Sequence, residues 1–176
     1  MNNITRLDSA TVKFFDGLEV DGYRMPNGEF RVGSTGAGLA VGFSKGWFSQ
    51  VHSREGDTLK TLQGMGFTGS QVDGLVQRDG KSGASQVNTI SLDDFALLIL
   101  YGAIKGKKKA IALQLSLTKM SINDFFRDAF GDVQLTIEQK REELFRDIAR
   151  RIDWSEEDKW EWKLIEDQEL FLSGNW

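Results

Sequence analysis

One histidine, His52, and no cysteine occur in 176 residues. Disulfides, thiolate metal sites, cysteine nucleophiles and multi-histidine catalytic schemes are thereby excluded. His52 has no partnered nucleophile near it in sequence, so it reads as a surface residue of a helix rather than a general base. Two Glu-x-Lys pairs, Glu138-x-Lys140 and Glu161-x-Lys163, each match half of a Mg²⁺-dependent nuclease site, with Asp132 or Asp153 upstream. Such a site wants its carboxylates on adjacent strand positions around the metal. Both pairs fall in charged, helical segments, where a solvated helix face is the simpler account. Gly36-x-Gly38-x-x-x-Gly42 lacks both the spacing and the βαβ setting of a dinucleotide loop. These residues imply a non-catalytic protein without a cofactor, a Mg²⁺-dependent nuclease being the remaining enzymatic alternative.

Binding chemistry is better represented. Ala40, Gly42, Phe43 and Ser44 stand at the offsets a helix-turn-helix uses: a small residue where the helices cross, a glycine that reaches positive φ, an apolar residue and a cap. Phe48 and Val51 then face inward, which leaves Lys45, Ser49, Gln50, His52, Ser53 and Arg54 facing outward. Short polar and amide side chains are what major-groove reading employs. An ordinary helical hairpin packed in a core fits the same residues, and a module of that kind would bind protein instead. Lys105, Lys107, Lys108 and Lys109 form the only dense basic run. Lysines at a helix start oppose its dipole by up to about 1 kcal/mol each, so the run favours phosphate contact over helix stability; a solvated loop is the alternative. Arg78 and Lys81, in a glycine-rich stretch, add a candidate basic arm.

The elements that must carry these groups follow from periodicity. Residues 11–15 and 18–25 alternate as strands, Pro26-Asn27-Gly28 turns the chain, and residues 29–32 return as the second arm of a hairpin. Ser34 caps a short helix over 35–41 with Leu39, Ala40 and Ala37 inward, and Ser44 caps a second over 45–53. A third spans 58–65, with Leu59, Leu62 and Met65 on one side. Residues 71–85 read as a polar loop and 87–90 as a short strand. Ser91 caps an all-round apolar helix. A long helix over 107–130 carries a stripe of Ile111, Leu115, Ile122 and Phe126, widened by Leu113, Leu117 and Met120, and Gly131 closes it. Thr136-x-x-Gln139 opens a helix to about 151 with Leu144, Phe145 and Ile148 inward, and Ser155 opens a last one.

In this order the elements resemble the Bro-N/KilA-N class, DNA-binding domains of phage antirepressors and large DNA viruses. The resemblance is carried by the hairpin, the Ala40-x-Gly42-x-Ser44 helix pair, the polar loop, the segment Val87-Asn-Thr-Ile-Ser-Leu-Asp-Asp-Phe95, and the basic break before a long helix. It spans about residues 18–130 and implies a sequence-specific DNA-binding regulator of antirepressor type, from a phage or mobile element.

Charge and composition divide the chain. Residues 131–176 hold 7 Lys+Arg against 13 Asp+Glu, a balance of −6, whereas the preceding 130 residues hold 15 against 13. Four of the five tryptophans fall in the last 23 residues. The expectation is an α+β domain over 1–131, built on a small N-terminal antiparallel sheet with a helix-turn-helix-like body, and an acidic, tryptophan-rich helical extension over 132–176. Trp160, Leu164 and Phe171 of the extension share one face and are its candidate partner-binding residues. The expected partners are double-stranded DNA and a second copy of the chain, bound through the extension. No apolar run reaches membrane-spanning length and no signal core opens the chain, so a cytoplasmic location is expected.

Overall fold

Asn27-Gly28 makes the first tight turn. Gly28 takes φ +87°, its N–H donates to the Met25 carbonyl at 2.9 Å, and Asn27 Oδ1 accepts from the Glu29 N–H at 3.0 Å. The computed structural model describes residues 5–15, 17–53, 56–77 and 83–151. In chain order the elements are β1 (Thr5–Arg6), β2 (Asp8–Phe15), β3 (Leu18–Arg24), β4 (Phe30–Gly33), α1 (Ser34–Ala40), α2 (Trp47–Ser53), α3 (Asp57–Gly64), β5 (Val72–Gln77), β6 (Ala84–Ser91), α4 (Leu92–Ile104), α5 (Lys108–Phe130) and α6 (Ile137–Arg151). The protein is α+β. Among the described residues six strands form one sheet in the order β1-β5-β6-β4-β3-β2, antiparallel except where β1 runs parallel to β5.

This sheet is larger than a hairpin because residues 72–77, expected as loop, form β5. They pair with β6 from Val72 opposite Thr89 to Gln77 opposite Ala84. The partner strand, and not local apolar alternation, satisfies the backbone there. Gly74 is needed in β5, since a Cβ at that position would run into the Leu7 side chain.

One face of the sheet, through Val20, Val32 and Ile90, packs on α1 and α4, and α2 joins the same core through α1 and α3. Fully buried Leu62, Leu98 and Leu113 bind α3, α4 and α5 into the same core. A smaller cluster of Leu7, Tyr23 and Val76 covers part of the other face. Several start and stop signals act as their residues dictate. Ser91 Oγ accepts from the Asp94 N–H at the start of α4, Gly131 ends α5 in the left-handed region at φ +70°, and Thr136 and Gln139 exchange both bonds of a capping box. Other expectations are corrected. Ser34 is the first buried residue of α1, whose N-cap is Gly33. Leu39 is exposed while Ala37 and Ala40 face in. Ser44 does not cap α2, which begins at Trp47 after a turn in which the Trp47 N–H meets the Ser44 carbonyl.

The helix α6 packs back on the body. Leu144 and Ile148 bury against Phe15 and Ala112, Arg141 Nε donates to the Lys13 carbonyl of edge strand β2, and ion pairs Lys119–Asp147 (2.9 Å) and Lys140–Asp124 (2.6 Å) tie it antiparallel to α5. The helix expected from Ser155, with Trp160, Leu164 and Phe171, lies outside the described residues. No described helix is long and apolar enough to cross a membrane.

Candidate nucleic-acid interface

Gly42 adopts φ +89° and turns the chain out of α1. The Phe43 N–H returns to the Gly38 carbonyl at 3.0 Å. Phe43 is thereby laid flat on Trp47, with ring centroids 4.0 Å apart and planes 9° from parallel. Tyr101 of α4 joins them, 6.2 Å from Phe43 and 6.4 Å from Trp47.

The basic run reaches the same place through a different constraint. Gly102 lets α4 and α5 approach so closely that a Cβ there would stand 2.8 Å from the Ala110 Cβ. Gly106, at φ +75°, reverses the chain between the helices. The stems of Lys107 and Lys109 then lie against the α1–α2 turn: a Cβ added at Gly42 would stand 3.7 Å from Lys107 Cβ and 3.8 Å from Lys109 Cβ. The Lys107 ammonium sits 5.4 Å from the Phe43 centroid, and that of Lys105 5.6 Å from the Tyr101 centroid. Each such contact is worth about 0.5–1 kcal/mol at an exposed site, enough to orient a lysine without neutralising it. Lys45, Lys105, Lys107 and Lys109 form no ion pair among the described residues. Lys108, the first residue of α5, is exposed.

The lysine run, distant in sequence, thus meets the turn that leads into α2. Lys45, Ser49, Gln50 and Ser53 are exposed, although the Ser53 hydroxyl donates back to the Gln50 carbonyl. Arg54, Arg78 and Lys81 lie outside the described residues. The aromatic trio beneath the lysines was not picked out from sequence as part of the site; the signal was present in the alternation of Phe43, Lys45 and Trp47.

His52 departs from its expected outward position. Its ring is half-buried and stacked on Phe48 at 4.8 Å. Nδ1 lies 3.1 Å from the Phe48 carbonyl and Nε2 3.2 Å from the Gly69 carbonyl. It belongs to a polar clamp on residues 68–70 that sequence reading missed. Buried Asp94 accepts from the Thr68 N–H and hydroxyl, both at 2.8 Å. Buried Arg31 donates to the Ser70 carbonyl at 2.9 Å, to Thr89 Oγ1 at 3.0 Å and to Glu29 at 2.7 Å. These groups hold the α3–β5 connection and through it the back of α2.

The described half-match to a nuclease, Glu138-x-Lys140, does not converge on a site. Lys140 is engaged by Asp124, and Glu138 points to Arg141 at 3.8 Å on the same helix. Among the described residues no three His, Cys, Asp or Glu side chains cluster to hold a metal. Asp153, Glu161 and Lys163 lie outside the described residues. No family model, curated protein or solved structure matches the chain.

Proposed function

We propose that the protein is a sequence-specific DNA-binding regulator of antirepressor type, acting without catalysis. In this reading α2 presents Ser49 and Gln50 to base edges, while Lys45, Lys105, Lys107, Lys108 and Lys109 contact phosphates. One observation carries it: Lys107 and Lys109 pack on the Gly42 turn, so that unneutralised ammonium groups flank the start of α2. Phosphate contacts fix register while base contacts specify, and this face offers both kinds of group. Self-association suits a reader of this size, since dimers bind paired half-sites. The exposed Phe130, Val133 and Ile137 around the start of the C-terminal region supply apolar surface for it.

The test is duplex selection from random DNA followed by salt titration. Replacing Lys107, Lys108 and Lys109 by Gln is expected to weaken binding to all duplexes and to flatten the log–log salt slope by about 2.7, at roughly 0.9 per lost phosphate contact. Gln50→Ala is expected to cost about 1–3 kcal/mol on the selected site alone. An unchanged slope removes the phosphate role; unchanged selectivity removes α2 as reader.

A second reading is a protein-interaction module whose helix pair does not bind DNA. It is favoured by the connection between α1 and α2. Six residues, 41–46, separate these helices, more than the three or four of a DNA-reading helix-turn-helix.

A further inference from the structure

The helix α5 carries more apolar surface than the described residues cover. Ile122 is 52% exposed and Phe126 62%, and both line a groove of about 530 Å³ between α5 and α6. Arg127, Arg146 and Arg150 stand along this groove, with Lys119 and Asp147 paired across it; Glu143 is its remaining acid. Arg127 Nε is buried and finds no hydrogen-bond partner among the described residues. Arg127 Nη1 donates to the Val133 carbonyl at 3.1 Å and Arg150 lies 3.6 Å from Asp147; an apolar floor between arginines, one of them with an unpartnered Nε, fits an amphipathic segment with acidic flanks.

Such a segment begins where α6 ends. Residues 152–176 hold 2 Lys against 8 Asp+Glu, a balance of −6, so the whole negative excess of the C-terminal region resides there. Trp160, Leu164 and Phe171 fall on one face at helical spacing. From Trp160 to Phe171 is eleven residues, as it is from Lys119 to Phe130; each stretch is about 16 Å long as a helix. The ion pair between Lys119 and Asp147 sets the last turn of α6 at the Lys119 end of the groove, so the chain leaves α6 beside the groove's entrance. A short connection between helices favours an antiparallel neighbour, and tethering raises the effective concentration of the segment at its own groove.

We propose that residues 152–176 of the same molecule occupy the α5–α6 groove. Trp160, Leu164 and Phe171 lie on Ile122 and Phe126, and the acidic side chains face Arg127, Arg146 and Arg150.

The absence of cysteine makes the full-length chain a clean background for cross-linking. Phe126→Cys is combined with Leu164→Cys, and Ile122→Cys with Trp160→Cys, and each double variant is oxidised. The expected product is a disulfide-linked monomer of increased gel mobility. Dimers as the sole linked product would place the segment on a second copy and overturn the proposal, as would the absence of any linked product. A second measurement leaves the groove floor untouched. Four of the five tryptophans lie in residues 154–176, so acrylamide quenching of tryptophan emission reports on this segment. Arg146→Glu with Arg150→Glu, both exposed positions, is expected to raise the quenching constant of the full-length chain while its circular dichroism is kept. Quenching equal to wild type would overturn the charge pairing.

Discussion

Helices α4 and α5 are consecutive, and both are rich in large apolar residues. Their fates differ. Asp94, Phe95, Leu98, Ile99, Tyr101 and Gly102 of α4 are buried between the sheet, α1 and α5. In α5 only Ala110, Ala112, Leu113 and Ser116, all in its first half, are buried; farther on, Phe125 is 73% and Phe130 79% exposed. The first half of α5 is covered because Gly102 allows close approach to α4 and because Leu144 and Ile148 of α6 pack at Ala112. The second half runs past the sheet. A periodic stripe tells which residues share a face; whether that face is covered depends on how far the neighbouring elements extend.

Substitutions at matched positions test this contrast. The largest expected effect is in the covered region: Leu98→Ala, at a site with no exposed surface, should lower stability by about 2–5 kcal/mol in urea unfolding. The same truncation at Phe125 should stay within about 0.5 kcal/mol. Equal losses at the two sites would mean that the end of α5 is covered by a part of the molecule that makes it core.

Asp94→Ala comes next. It removes two acceptors from Thr68 and leaves the Thr68 N–H without its partner, at a cost of about 1–3 kcal/mol. Hydrogen exchange should quicken at residues 67–70 before it quickens in α4. A smaller loss than at Asp94 is expected at the junction from which α6 returns: Thr136→Ala breaks one half of the capping box and should cost about 1 kcal/mol. If it costs nothing, packing of Leu144 and Ile148 alone sets the start of α6.

How much of this could be read from residue order depends on the range of the interactions. Local devices were legible: the Asn27-Gly28 turn, the Ser91 cap, Gly131 and the Thr136–Gln139 box each act within about four residues. So were α+β class and the inward Leu144 and Ile148, whereas Phe145, expected inward with them, is 42% exposed and leans on Phe15. Elements defined by distant partners were not. Strand β5 has only three apolar residues, Val72, Leu75 and Val76, which do not alternate across Gly74; β6 creates it by pairing. The stripe expected over Ile111, Leu115, Ile122 and Phe126 is largely exposed, while Ala112 and Ser116, unremarkable as residues, are buried. In the candidate interface the lysines and the α2 residues were each visible, but the meeting of the lysines with the turn before α2 was not, because it depends on the close approach of α4 and α5 at Gly102 and on the positive φ of Gly42. The buried Arg31 and Asp94 gave no signal apart from the place of Asp94 three residues after a capping serine.

The strand order has a consequence in time. β6 lies between β5 and β4 and is the last of the six strands to leave a ribosome. The β2–β3–β4 meander needs only neighbours and can close early, as hairpins do in microseconds. β1 and β5 must wait, since among the described residues β1 has no strand partner but β5, and β5 joins the rest only through β6. Nascent chains stalled short of residue 91 would hold half a sheet with an open edge at β4. Completion of β6 would then be the step at which the protein becomes resistant to proteolysis, and the slow, long-range step of its refolding.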